Sequence, residues 1–141
     1  MAFCETSQWT INFIRDREPA QEEVTTFNLN IVNGEITGDL LNGDRERISK
    51  VRGRCDPMVL PGMSEAARMS FVFRFRRGAV ARGIMMSGFA FRATMGARIE
   101  FQGRYRVFEL DPDLPNPGTG ELLRIAAGDV GDTGTGSGQQ T

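Results

Sequence analysis

Apolar and polar residues alternate along most of the chain, which is the period-two pattern of a β-strand that buries one face. The alternation is clear over residues 9–13 and 27–31. After the second run, Asn33-Gly34 supplies the two positive-φ residues that a two-residue hairpin turn requires. Asn42-Gly43 repeats this signal before a further alternating run at residues 48–55. The pattern predicts antiparallel strands joined by short turns.

The longest predicted strands follow residue 65. Over residues 71–76, three phenylalanines alternate with a valine and two arginines. Arg77-Gly78 predicts a turn into a strand at residues 79–93, and Met95-Gly96 predicts a turn into a strand at residues 99–107. One face of the 79–93 strand is expected to point inward, and its members are Met85, Ser87, Phe89 and Phe91.

Two stretches interrupt the strands. Residues 56–65 contain two prolines and residues 111–120 contain three, so both are predicted to be loops. The apolar residues 122–127 fit either an eighth strand or a helical turn. Residues 128–141 are rich in Gly, Thr, Ser and Gln and lack aromatic residues, which predicts a disordered tail. The folded domain is therefore expected to span residues 1–127.

Seven or eight strands with mostly short links predict an all-β fold, an antiparallel up-and-down meander. Closure of the meander into a barrel removes its free edges, and a two-sheet sandwich is the competing architecture. A barrel of about eight strands has an interior that side chains either fill or share with one small ligand. A length of 141 residues suits one such domain.

Composition narrows the chemistry. The chain has no histidine, which excludes Ser-His and Cys-His nucleophiles and the imidazole ligands of many metal sites. Cys4 and Cys55 match no metal-binding spacing, and two reduced thiols are favoured over a bridge. No apolar run approaches the ~20 residues of a membrane span, and the N-terminus lacks a signal-peptide pattern. We therefore expect a cytoplasmic protein with no metal, no cofactor and no membrane contact.

Charge is unevenly distributed along the chain. Residues 1–65 carry seven basic and eleven acidic side chains, residues 66–109 carry nine arginines and two glutamates, and residues 110–141 carry one arginine and five acids. The middle segment has a net charge of +7 between two segments of −4 each. Arginines that share one strand phase, opposite the phenylalanines, are predicted to form an outer face, and they are Arg74, Arg76, Arg82, Arg92, Arg98, Arg104 and Arg106.

This arginine face has two interpretations. It could bind phosphate, on RNA or on a carrier-bound substrate. Alternatively it is a solvated surface, or the interface of a homodimer in which acidic segments of a neighbour neutralise it, and this second interpretation is favoured. Nucleic acid is disfavoured as a partner because only Phe108 interleaves with the arginines, so stacking platforms for bases are missing.

Short motifs resemble those of known small barrels. Residues 34–38 (GEITG) and 51–54 (VRGR) resemble the glycine-containing strand pattern of avidin-like barrels, and Trp9 is similar to the tryptophan that opens calycin barrels. Avidins line their biotin site with several tryptophans, whereas Trp9 is the single tryptophan here, so the resemblance does not extend to biotin. The strand layout is also similar to that of allene-oxide-cyclase-like barrels, which include cofactor-free cyclases of polyketide pathways.

The apolar face predicts where a ligand would bind. Gly38, Gly53 and Gly103 fall on this face and are expected to leave space, although an ordinary filled core has the same pattern. The candidate lining residues are Trp9, Phe13, Phe27, Ser49, Phe71, Phe73, Phe75, Met85, Ser87, Phe89, Phe91 and Phe101. We expect Met58, Leu60 and Met63 to form a lid.

These features lead to a functional hypothesis. A barrel that encloses an apolar small molecule could act as a cofactor-free cyclase or isomerase, because holding a flexible substrate and polarising a carbonyl need few groups. Tyr105 and Trp9 are the candidate hydrogen-bond donors, and Glu109 is the candidate for proton transfer. The alternatives are a passive ligand-binding protein and an interaction module that uses the arginine face for RNA or a protein.

Overall fold

In the computed structural model, eight antiparallel strands close into one barrel in chain order. The structure describes residues 4–20, 22–41, 47–77, 80–109 and 130–141, with backbone alone at 47–48, 75–77 and 80–81. The strands are β1 (Ser7–Arg15), β2 (Glu22–Val32), β3 (Glu35–Leu41), β4 (Arg47–Met58), β5 (Glu65–Arg77), β6 (Val80–Arg92), β7 (Glu100–Glu109) and β8 (Thr133–Gln140). The predicted all-β meander is confirmed, with eight strands in a barrel and not a sandwich. Nowhere in these ranges is there a helix with the length and apolar character that a membrane span needs.

The predicted turns follow from residues that tolerate positive φ. Asn33 and Gly34 have φ values of 51° and 80° and join β2 to β3, where Val32 pairs with Glu35. Gly96, with φ of 86°, lies in the connection between β6 and β7. The predicted turn at Asn42-Gly43 lies outside the described residues, as does Gly78 of the turn after β5.

The last strand closes the barrel and corrects the predicted domain boundary. β8 pairs with β7 on one side and with β1 on the other, where Trp9 lies opposite Gln140. The prediction of a disordered tail is therefore wrong for Thr133–Gln140. Residues 122–127, the predicted alternative for an eighth strand, lie outside the described residues.

Glycines explain how β8 fits between its neighbours. A Cβ atom at Gly134 would lie 2.2 Å from Cε1 of Tyr105, and one at Gly136 would lie 2.3 Å from Cε of Met86. At Gly138, a Cβ would lie 1.9 Å from the backbone oxygen of Thr10. Large side chains from β6 and β7 thus occupy the inner side of β8, and glycine is the residue that leaves them room.

The barrel interior is filled by aromatic and aliphatic side chains. Phe13, Phe27, Phe71 and Phe73 pack with ring centroids 5.4–6.4 Å apart, mostly in tilted and edge-to-face arrangements. Their side chains are 0–1% exposed. Ring contacts of this density are typical of a packed protein core.

The predicted phase of β6 is wrong. Directly opposed residues of antiparallel strands lie on the same face, and Phe71 and Phe73 of β5 pair with Met86 and Ile84. Met86 and Ile84 are fully buried, so the even-numbered residues of β6 point inward. The residues predicted to face inward take the outer phase, with Met85 48% exposed, Phe89 41% exposed, Ser87 exposed and Phe91 half-buried. A one-residue slip exchanges the two faces of a strand.

Two smaller predictions also change. Cys4 and Cys55 form a disulfide with Cα atoms 5.7 Å apart, where reduced thiols were expected, and the bridge ties the N-terminal segment to β4. β4 extends to Met58 and β5 begins at Glu65, so the loop predicted over residues 56–65 is limited to 59–64.

Candidate functional site

The interior brings most of the predicted lining residues together. The inward-facing members are Trp9, Phe13, Phe27, Ser49, Phe71, Phe73, Phe101 and Tyr105, and each is at most 4% exposed. A side chain next to a water-sized void retains accessible surface, so the space around these residues is occupied by other side chains. The predicted orientation is confirmed for these residues, and their role in ligand binding stays a prediction.

The glycines expected to leave space are sites of close strand approach instead. A Cβ at Gly38 would lie 2.0 Å from the backbone oxygen of Asn28, and one at Gly53 would lie 2.0 Å from that of Ser70. At Gly103 the nearest atom would be the backbone oxygen of Ser87, at 2.6 Å. Neighbouring backbones therefore take up the room that these glycines were expected to leave for a ligand.

Two of the predicted polar groups are already satisfied by the protein. The indole N–H of Trp9 donates to Oγ of Ser7 at 2.8 Å. The hydroxyl of Ser49 donates to the backbone oxygen of Lys50 at 2.9 Å and accepts the backbone N–H of Arg74 at 2.9 Å. Neither group is left to bind a ligand without losing a protein hydrogen bond.

Tyr105 differs from these two residues. Its hydroxyl is buried and has no hydrogen-bond partner among the described residues, and its ring packs edge-on against Phe13 with centroids 5.5 Å apart. Burial raises the pKa of Tyr105 to about 12, and the charge of Asp16 adds to this while that of Arg15 opposes it. The phenol is therefore a neutral donor at physiological pH.

Arg15 is a charged interior residue that the sequence pattern did not reveal. It ends β1 and is 6% exposed. Its guanidinium donates to the backbone oxygens of Pro19 at 2.5 Å and Arg17 at 3.3 Å, so the following segment satisfies the buried charge. The sequence feature that pointed to its burial was its position two residues after Phe13, in the inward phase of the strand, although arginine is rarely buried.

The remaining predicted site residues lie away from this cluster or are not described. Glu109 is exposed at the end of β7, where its backbone pairs with Arg82. The side chain of Phe75 lies outside the described residues. Met58 and Met63 are each 37% exposed and Leu60 is half-buried, at the connection between β4 and β5. Their role as a lid stays a prediction. In the described part of the chain, no three His, Cys, Asp or Glu residues come close enough to hold a metal.

The outside of the barrel carries a second candidate site, across β4 to β7. Cross-strand pairing places Arg52 beside Val72, Val72 beside Met85 and Met85 beside Arg106, so that one row runs across four strands. Four residues away from this row on both β5 and β6, Arg68 lies beside Phe89. We define the β4–β7 outer face as Arg52, Arg68, Val72, Met85, Phe89 and Arg106.

Apolar side chains occupy the middle of the β4–β7 outer face. Met85 is 48% exposed, Phe89 41% and Val72 37%. Arg52, Arg68 and Arg106 are exposed around them, and within the described ranges none of the three makes an ion pair or a side-chain hydrogen bond. The face therefore combines exposed apolar groups with exposed positive charge.

Two other exposed arginines of this protein are paired with carboxylates. Arg104 contacts Asp16, and Arg54 lies 3.0 Å from Asp56. A hydrogen bond from Thr133 at 2.8 Å and the Arg104 guanidinium hold the pKa of Asp16 below its usual value. The arginines of the β4–β7 outer face lack such partners.

The predicted arginine face is correct in part. Arg104 and Arg106 point outward as expected, and Arg74 is half-buried in the same phase. Arg82 and Arg92 belong to the inward phase of β6, and Arg92 lies 2.5 Å from Glu65. Arg98 precedes β7, and the side chain of Arg76 lies outside the described residues.

Sequence reasoning missed Met85, Phe89 and Arg68 as surface residues. The misassigned phase of β6 placed the first two inside the barrel. The strands on either side carried the signal, because Met85 pairs with Arg106 and Phe89 pairs with Arg68 and Gln102. Phe89 has polar cross-strand partners on both sides, which favours the solvent face, and Met85 shares its phase.

Comparison of the chain with protein-family models, curated proteins and solved structures gave no match. The resemblance to avidin-like and allene-oxide-cyclase-like barrels therefore stays a prediction.

Proposed function

We propose that this protein is a binding module whose β4–β7 outer face docks an acidic, partly apolar segment of a partner protein. The observation that carries the proposal is the exposure of Met85, Phe89 and Val72 among arginines that have no acidic partner in the described part of the chain. Burying these apolar groups would contribute about 25 cal/mol per Å². Arginine, methionine and phenylalanine are also enriched in the cores of protein interfaces.

The charge of the face supports an acidic partner over a second copy of the chain. In a symmetric dimer formed through this face, the same patch meets itself, and Arg52, Arg68 and Arg106 would approach their own copies. Like charges brought together in this way oppose association. Carboxylates that flank an apolar residue would instead meet guanidinium groups on both sides of Met85.

The fold limits how the partner can dock. All eight strands have two neighbours in the closed barrel, so there is no free edge to which an extended segment could add as a strand. Recognition must use side chains that project from the sheet. Phe89 is the single aromatic residue of the β4–β7 outer face, which supports a protein over single-stranded nucleic acid because bases need successive stacking platforms.

Selection from a phage-displayed peptide library tests this proposal. We expect enriched peptides to carry Asp or Glu on both sides of an apolar residue, and their affinity to fall as salt is raised. Phe89→Ser, Met85→Ser and Arg106→Glu should each weaken binding roughly tenfold or more.

Val24→Ser and Arg98→Glu are matched controls, since they change an exposed valine on β2 and an exposed arginine outside the strands. Enriched peptides without acidic residues, or peptides that bind Phe89→Ser as well as the native protein, would overturn the proposal. So would binding of RNA, or self-association through this face, in the absence of any peptide binding.

A second candidate function rests on Tyr105. Its buried hydroxyl lacks a partner, and a ligand carbonyl could supply one. This supports the hypothesis of an apolar ligand within the barrel, held passively or converted by a cofactor-free cyclase or isomerase. The interior would have to open, because the aromatic residues that line it are each at most 2% exposed. Native mass spectrometry of the purified protein tests it, and a spectrum with no bound small molecule would remove its support.

A further inference from the structure

A groove of about 430 Å³ runs over the outside of β8, between β1 and β7. It lies beyond the edge of the β4–β7 outer face, on the opposite side of β7 from Phe89. The side chains that determine its chemistry come from β1, β2, β7 and β8. They are Thr10, Asn12, Val24, Gln102, Ser137 and Gln139.

Strand register explains why a groove forms at this place. Ser137 lies opposite Gln102 of β7 and opposite Asn12 of β1. The short serine therefore forms the floor between two longer amide side chains. In the adjacent row, Gln139 lies between Glu100 and Thr10.

The side chains that line the groove are mostly uncharged and can both donate and accept hydrogen bonds. Asn12 and Gln102 each present an amide that can donate and accept, and Thr10 and Ser137 present hydroxyls. The Nδ2 of Asn12 donates to Oε1 of Glu22 at 2.6 Å, while its Oδ1 is buried and has no partner within the described ranges. A buried acceptor without a partner is stabilised by a ligand that brings a donor.

We propose that this groove binds a neutral saccharide. Sugar hydroxyls both donate and accept, so they match a lining of amides and hydroxyls in which Glu100 adds one carboxylate acceptor. Val24 is 63% exposed at the edge of the groove and gives the apolar C–H face of a sugar ring a surface to contact. The arginines of the β4–β7 outer face do not line the groove, so it offers no positive charge for an anionic ligand.

The test uses cellotetraose, chitotetraose and maltotetraose as probes and NMR of the side-chain amides as the readout. We expect at least one of the three to shift the amide signals of Asn12 and Gln102 in a saturable way. Ser137→Leu, which fills the floor, should weaken this binding roughly tenfold or more.

Thr135→Leu is the matched control, because Thr135 shares the outer phase of β8 but does not line the groove. It should leave the titration unchanged. The inference would be overturned if none of the three sugars shifts these amides, or if Ser137→Leu binds as tightly as the native protein. A shift produced by a neutral Gly/Ser peptide and by none of the sugars would also overturn it. Met85→Ser should not affect the titration, because Met85 pairs with Val72 and Arg106 and with no residue of the groove, so this test is independent of the proposed protein partner.

Discussion

Replacing Tyr105 with phenylalanine should make the protein more stable. The hydroxyl is buried and has no hydrogen-bond partner, so the folded state bears the cost of removing it from water. That cost is about 1–3 kcal/mol. Tyr105→Phe retains the ring that packs against Phe13 and over Gly134, so little packing is lost. We expect the free energy of unfolding in urea at neutral pH to rise by about 1 kcal/mol or more.

The same burial determines how stability changes in alkali. The pKa of Tyr105 is raised from 10.0 to about 12 in the folded protein, so the folded state holds the proton to higher pH than the unfolded state does. The stability associated with the protonated phenol is complete below pH 10 and is lost as pH rises toward 12. The loss should be about 2–3 kcal/mol over that interval, and it should be absent in Tyr105→Phe.

The chain is well suited to this measurement because it has one tyrosine and one lysine, Lys50. Both cysteines are in the disulfide and do not titrate. A Lys50→Arg background leaves no lysine in the chain. Phenolate absorbance followed against pH then reports Tyr105 alone. A midpoint near pH 10 in the folded protein, or a Tyr105→Phe variant less stable than the native protein, would refute the assignment of a buried, unpartnered hydroxyl.

Three further predictions test the barrel itself. Met86→Ala should lower the free energy of unfolding by about 2–5 kcal/mol, whereas Met85→Ala should change it by less than about 0.5 kcal/mol. The reverse order in urea titrations would contradict the phase of β6. Gly134→Ala should lower the free energy of unfolding by about 1–3 kcal/mol because its Cβ would lie 2.2 Å from the Tyr105 ring. Thr135→Ala, on the outer phase of β8, should not lower it. Equal unfolding midpoints for the two variants would argue against β8 in the barrel. Reducing the Cys4–Cys55 bridge, which joins residues 51 apart, should lower the free energy of unfolding by about 4 kcal/mol. The control is a variant with both cysteines replaced by serine, whose stability the reductant should not change.

The bridge also bears on where the protein functions. Disulfides persist in oxidising compartments and are rare in the cytoplasm, so a bridge that is formed in the cell would argue against the predicted cytoplasmic location. Alkylation of free thiols at the moment of cell lysis measures its state. A bridge found reduced in the cell would support the cytoplasmic prediction.

Local signals in the sequence were sufficient for the strands with one clearly apolar phase. Phe71 and Phe73 alternate with polar or small residues, and Asn33-Gly34 can adopt positive φ at two successive positions, so these elements were predicted correctly. The all-β class and the order of the strands follow from such signals. They depend on neighbours within a few residues, which is the range over which a sequence pattern carries information.

Tertiary structure decided the features that depend on a partner strand. In β6 both phases carry apolar residues, and the pairing of Phe71 with Met86 selects the one that points inward. In β8 the alternation of glycine with polar residues resembles a disordered tail until the side chains of Tyr105 and Met86 are seen to fill its inner side. Which face of a strand points into the core depends on the residues of the neighbouring strands that lie opposite it. The sequence alone therefore determined where the strands with one apolar phase form, while closure of the barrel determined that β8 is a strand, which faces are buried and which are left for binding.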